Sequence, residues 1–198
     1  MYSLRPLAAC LALFCSSAFG QQFFIGLKGG IPLTDAFADR TTHSVDVISH
    51  AFSNSKNYVI GPVVELGLPL GFSVEADALY RPLNLTTDVT VVPRPATRSA
   101  IDIHSWEFPI LAKYHFLHVP LVRPYVEAGP IFRAVGSQGP YLSNSGAALG
   151  GGLDIKILRL RVMPEIRYSR WGGDAVVANL VASPSNLNQV EFLIAIGF

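Results

Sequence analysis

Charge is scarce in this chain, cysteine almost absent, and past residue 20 there is no long apolar run. Only 15% of residues are charged, where ordinary globular domains carry roughly 25%. The balance of 15 basic and 14 acidic residues leaves a net charge of +1, which gives no basic surface for nucleic acid. Both cysteines, Cys10 and Cys15, stand in the first twenty residues, so the rest of the chain has no disulfide or thiolate framework. Beyond residue 20 no apolar stretch approaches the ~18 residues of a membrane-spanning helix. What is present instead is apolar character: 50% hydrophobic residues in a length that suits one domain. Two readings remain, a very apolar soluble β domain or a membrane barrel whose apolar residues alternate along strands.

The first twenty residues read as a secretion signal and are set aside from the fold. Arg5 supplies the positive start, Leu7 to Phe14 a short apolar core, and Ala18 and Gly20 the small residues before a cleavage site at Gln21. Leu7-Ala8-Ala9-Cys10 resembles a lipoprotein cleavage signal, but the apolar core would then follow the cysteine rather than precede it. The expected organisation is a signal peptide over 1–20 and one domain over 21–198.

From Gln21 onward the pattern has period two. In Trp106–Phe116 one face reads Trp106, Phe108, Ile110, Ala112, Tyr114, Phe116 and the other Glu107, Pro109, Leu111, Lys113, His115. Side chains alternate across a strand, whereas a helix would mix these residues on every face. Seven further segments read the same way, around Phe23–Ile31, Tyr58–Gly67, Phe72–Arg81, Val126–Ala134, Leu149–Ile157, Leu160–Ser169 and Val190–Phe198. Eight strands are therefore expected, an even count that returns the chain to its starting side. The connections near Leu68–Gly71, Leu117–Val122 and Ile157–Arg159 are tight; those over roughly 34–57, 86–103, 136–146 and 172–187 are long and rich in Ser, Thr, Asn and Asp. Short turns at one end and long loops at the other are the rhythm of outer-membrane barrels.

The distribution of charge and aromatics says which face looks out. The polar strand face carries seven cations (Lys28, Arg81, Lys113, Arg133, Lys156, Arg161, Arg167) and eight anions (Glu65, Glu75, Asp77, Glu107, Glu127, Asp154, Glu165, Glu191), half of all the charge in the chain. The apolar face places Tyr58, Tyr80, Trp106, Phe132 and Tyr168 at the long-loop ends, and Phe23, Phe72, Phe116 and Phe198 at the short-turn ends. Two aromatic belts around an aliphatic middle mark a bilayer-spanning barrel. The inward charges, near-equal in sign, are expected to pair into a plug, because eight strands enclose a space that side chains fill and buried charges must be compensated. Glu75, Asp77, Glu107 and Glu127 against Arg81, Lys113 and Arg133 form its expected centre; a narrow channel is the alternative.

On these segments the chain resembles the small outer-membrane β-barrel family, the OmpA/OmpX-type eight-stranded barrels, over residues 21–198. The resemblance implies an all-β, up-and-down antiparallel transmembrane barrel in the outer membrane of a Gram-negative-type bacterium, a monomer in contact with membrane lipids. The last segment, VEFLIAIGF, resembles the C-terminal signature read by the outer-membrane assembly machinery, with Phe198 as the assembly signal. Pro32, Pro62, Pro82, Pro109, Pro124, Pro130 and Pro164 depart from the pattern; each removes a ladder donor, which leads one to expect bulges or strand ends there.

No cofactor or metal is expected. His43-Ser44 with Asp46, and Ser143-Asn144-Ser145, supply hydroxyl and imidazole groups for a lipid-acting enzyme, but no strand-anchored catalytic spacing accompanies them. His43 and His50 alone are a weak metal pair, and Gly150-Gly151-Gly152 lacks the lysine and helix of a phosphate loop. The expected role is structural or surface contact through the outer loops, without enzymatic activity.

Overall fold

The computed structural model describes residues 23–37, 40–44, 47–53, 58–91, 97–117, 121–136, 142–172 and 186–198. The predicted signal segment, Asp46 and most of the 172–187 connection lie outside the described residues. Eleven strands follow in chain order: β1 (Phe23–Pro32), β2 (Arg40–Ser44), β3 (Val47–Ser53), β4 (Val59–Gly67), β5 (Phe72–Asp77), β6 (Leu79–Val91), β7 (Thr97–His115), β8 (Val122–Val135), β9 (Ser145–Ile157), β10 (Leu160–Trp171) and β11 (Asn188–Gly197). β5 and β6 are two parts of one stave, interrupted at Ala78, and β2 and β3 stand outside the ring. The remaining strands make eight antiparallel staves, β1, β4, β5/β6, β7, β8, β9, β10 and β11. Closure comes from β1, which pairs with β4 on one side (Phe23↔Leu66 to Gly30↔Val59) and with β11 on the other (Gly26↔Gly197 to Pro32↔Glu191). Phe198 adds a reciprocal backbone pair with Ile25, 3.1 Å in each direction. A closed ring leaves no edge in hydrocarbon, where each unpaired backbone group costs several kcal/mol.

Pro32 ends β1, as expected, but Pro62, Pro82, Pro109, Pro124, Pro130 and Pro164 sit inside strands rather than at bulges. The β7–β8 ladder skips two pairs between Pro109↔Ile131 and Ala112↔Ala128, keeping count, where Pro130 faces Ile110. The β9–β10 ladder does the same between Val162↔Ile155 and Glu165↔Gly152, where Pro164 faces Leu153. Ala78 falls opposite Pro62, whose carbonyl accepts the Ala78 N–H at 3.0 Å but which has no N–H to return. The missing donor thus opens a ladder gap without shifting register.

Two of the long connections, 34–57 and 86–103, hold more strand than their composition suggests. β6 and β7 stay paired past the ring up to Val89↔Thr97, and β3 pairs along the outer half of β6 from Ser53↔Leu85 to Val47↔Val91. With β2 added to β3, a four-stranded extension continues one side of the barrel at the long-loop end. Much of what reads as loop over 34–57 and 86–103 is therefore strand. Threonine and valine favour extended backbone however polar the segment is.

Close backbone approach requires glycine inside the ring at Gly30, where an added Cβ would lie 2.0 Å from the Phe192 carbonyl oxygen. Gly30→Ala, at the closing seam, should lower stability by about 1–3 kcal/mol as overpacking does. Urea titration of refolded barrel in detergent measures this; an unchanged midpoint would show that the seam yields freely.

Two of the short turns carry leucine where turns ordinarily carry glycine or asparagine. Leu158 opens the two-residue turn between Ile157 and Leu160 with φ 58°, and Leu70 has φ 65° beside Gly71 at φ 82°. A left-handed conformation costs a side-chain-bearing residue about 1–2 kcal/mol.

Candidate functional site: a charged interior

Along each stave burial alternates with the charges inside and the aliphatics outside. On β4 the pattern is strict over Val59–Leu66, with Val63 and Glu65 buried and Val64 and Leu66 exposed. Ile25, Leu27, Ile110, Leu149, Leu153, Ile166 and Ile196 face out, each between 42% and 64% exposed. This inversion, an apolar exterior around a charged core, is what a bilayer selects and water does not.

The charges stack in three tiers. The middle tier is organised on Arg167, whose guanidinium reaches Glu165 (2.7 Å), Asp77 (2.9 Å), Glu127 (3.0 Å) and Glu75 (3.2 Å). Lys28 bonds Glu75 and lies 3.0 Å from Glu165 and 3.3 Å from Asp77. Lys113 bonds Glu75 and stands 3.5 Å from both Glu65 and Glu127. Tyr125 donates its hydroxyl to Glu165 at 2.7 Å, with Lys113 Nζ 4.3 Å above its ring. Glu75, Glu127 and Glu165 converge closely enough to suggest a metal site, but two ammonium groups and a guanidinium already supply the compensating charge among them.

The tier toward the long loops joins Arg81 to Glu191 and Gln189 (2.8 Å each) and Arg133 to Glu107 (2.8 Å), with Arg133 lying 3.6 Å over the Trp171 ring. The tier toward the short turns joins Arg161 to Asp154 (2.9 Å) and Glu65 (3.2 Å), with Arg123 also bonded to Asp154 and His115 Nε2 3.8 Å from it. Lys156 shares this end but is only partly buried. The centre therefore differs from the sequence expectation. Arg81, Arg133 and Glu107 belong to the upper tier, and Lys28, Glu165 and Arg167 take their place in the middle.

Apolar inward residues separate and cap the tiers. Phe24, Val63, Tyr125, Met163 and Ala195 form one layer. At the long-loop end Ala36 and Phe37, only 0% and 5% exposed, pack on Leu83 and Ile103 with Val135 and Leu142, across the mouth. Phe24, Tyr125 and Trp171 share the parity of Lys28, Glu127 and Ser169, and that parity is the signal that marks them as inward.

On the outside the belts are chemically unlike. Tyr80 meets Trp106 at 5.5 Å and Tyr58 at 6.4 Å, and its hydroxyl is hydrogen-bonded to His104; the Tyr168 hydroxyl donates to Asn188 at 2.6 Å. Phe132 lies at the same end. At the short-turn end the outward aromatics are Phe23, Phe72, Phe116 and Phe198 with a single tyrosine, Tyr114, whose ring is 4.8 Å from Phe72. From Trp106 to Phe116 is ten residues, which at about 3.3 Å each and a tilt near 40° spans about 25 Å, the height of an outer-membrane apolar band. Above the band the extension is polar on its outer side: Arg98 pairs through two hydrogen bonds with Asp88, which raises the guanidinium above its ordinary pKa, and Asn84 donates to Asp102 at 2.6 Å.

Ser143 Oγ donates to the Ser145 carbonyl at 3.0 Å, a turn contact, and Asp46 lies outside the described residues. Register sets His43 opposite Ile48 and His50 opposite Thr41 on the β2–β3 hairpin.

Closed ring, inverted faces and paired belts define the class: a small transmembrane β-barrel of the outer-membrane type. Among solved structures the chain is similar to the outer membrane protein OprG from Pseudomonas aeruginosa, at 16% identity and TM-score 0.47 over 88% of this chain and 93% of that one. It is also similar to Neisserial surface protein A, at 13% identity and TM-score 0.48 over 90% and 99% of the two chains. No protein-family model and no curated protein sequence matches the chain.

Proposed function

We propose that this protein is a non-conducting, non-enzymatic barrel of the outer membrane, a monomer whose interior is a charge-paired plug and whose extension carries structural or surface contacts. The observation that carries the reading is Arg167, fully buried and held by four carboxylates from β5, β8 and β10. A side chain so held ties staves together across the lumen, and the layer of Phe37, Leu83 and Ile103 supports a closed mouth above it. Contact with partners then falls to the extension, whose polar face holds Asp88, Arg98, Asn84 and Asp102.

Planar-bilayer recording on refolded protein tests the plug. No conductance steps above the lipid baseline are expected. Steady steps in the intact chain would replace the plug with a narrow channel, and turnover of lipid A or phospholipid by purified protein would replace it with an enzyme.

A further inference from the structure

The short-turn end carries a group of features that barrel closure does not need. Leu158 is fully exposed and Leu70 85% exposed, and these two are the only non-glycine residues with positive φ among the described residues. At those positions glycine, asparagine or aspartate would form the same turns without steric cost. Leu68, Leu117 and Leu121 add to the surface at this end, at 39%, 51% and 67% exposed. Every one of the three short connections is thus tipped or flanked by leucine.

Leucine prefers hydrocarbon to the headgroup layer, where tyrosine and tryptophan collect because one end of each ring is polar. The belt nearest these turns is almost entirely phenylalanine, which has no such polar end, while the opposite belt is mainly tyrosine and tryptophan. The phenylalanines are therefore placed for hydrocarbon, and the polar boundary on this side lies further along, at the turns themselves. The cations at that boundary fit it. Arg159 is exposed beside Leu158, Lys156 is partly exposed, and Arg123 stands behind them on Asp154.

The geometry points to a lipid-insertion surface at the short-turn end: the leucine-tipped turns enter the adjoining leaflet, and Arg159 meets glycerophospholipid phosphates. The surface is continuous with the lipid-facing wall through Phe72, Phe116 and Ile157, and its cations complement anionic headgroups. Strain in the two turns is the local cost of presenting leucine in place of glycine. The inference rests on the membrane-spanning reading, and the test separates the two.

Nitroxide labels are placed singly at Leu158→Cys, Leu70→Cys and Leu121→Cys in the full chain carrying Cys10→Ser and Cys15→Ser. The protein is refolded into phosphatidylcholine vesicles containing a minor fraction of phosphatidylglycerol. Ile110→Cys serves as the lipid reference and Ala100→Cys as the aqueous one. Accessibility to oxygen and to a water-soluble nickel chelate reports depth, and Leu121 covers the case in which a strained turn rejects cysteine. Labels at the turns should resemble position 110, favouring oxygen over nickel, and Arg159→Glu should shift them toward water. Turn labels as nickel-accessible as position 100, with position 110 still shielded, overturn the insertion and leave the leucines as a contact for another protein. Nickel access at position 110 itself would instead remove the membrane-spanning reading. Turn labels unmoved by Arg159→Glu would remove the phosphate contact.

Discussion

Arg167→Ala should lower the folding free energy of the barrel in lipid vesicles by about 3–5 kcal/mol, the cost of breaking a buried ion pair from one side. The argument rests on what remains behind. Glu75, Asp77, Glu127 and Glu165 keep Lys28 and Lys113 but lose a guanidinium that now lies 2.7–3.2 Å from all four. Four carboxylates and two ammonium groups, each no more than 5% exposed, cannot be balanced without taking up protons or admitting solvent. Arg98→Ala, on an exposed pair with Asp88, should cost less than about 1 kcal/mol. Reversible urea unfolding in vesicles compares the two. A loss below about half a kcal/mol at Arg167, similar to that expected of an exposed pair, would indicate a hydrated lumen and sink the plug.

The second large effect is expected on the opposite surface. Ile110 faces out at 47% exposure, four residues from Trp106 along β7 and six from Phe116 just past its end. Ile110→Arg should destabilise by about 2–4 kcal/mol in a bilayer, while arginine at an interfacial site such as Tyr58, outward at 48% exposure in the tyrosine-rich belt, should cost about 0–1 kcal/mol. The depth dependence is the decisive part, because a soluble protein would tolerate arginine equally at two exposed positions. Equal effects at 110 and 58, or a chain that stays monodisperse in buffer without detergent, would end the membrane assignment.

The eight staves were legible because their parity is uninterrupted: Trp106 to Phe116 needs no structure to be divided into two faces. The extension was not legible, since serine and threonine in a strand that stands above the membrane look like loop. The prolines were harder still. A proline in a central strand argues against the strand unless the gap it leaves falls between neighbours that keep count, and only the paired register at Pro130 and Pro164 reveals this. For the interior, sequence marked which charges share a face but not which share a tier. Tiers follow from stagger between neighbouring staves, so Arg167 on β10 meets Asp77 on β5 across 90 residues of chain. Phe24, Tyr125 and Trp171 are legible only by parity, because an aromatic fits either face of a membrane barrel and theirs is the inward one.

Lys28 has a consequence for assembly. It stands on the first stave, yet its partners Glu75 and Asp77 are on the third and Glu165 on the seventh. A sheet running from β1 to β11 without closure leaves Lys28 with Glu75 and Asp77 alone; the lysine reaches Glu165 only when β1 has joined β11. A seam joined one residue out of step sets the inward face of one strand against the outward face of the other. One joined two residues out leaves Lys28 with Glu75 and Asp77, which β4 holds in register with β1, but shifts it by about 7 Å relative to Glu165. A misaligned seam therefore forfeits the Lys28–Glu165 contact, so the charges inside the ring favour the native alignment of its closing strands.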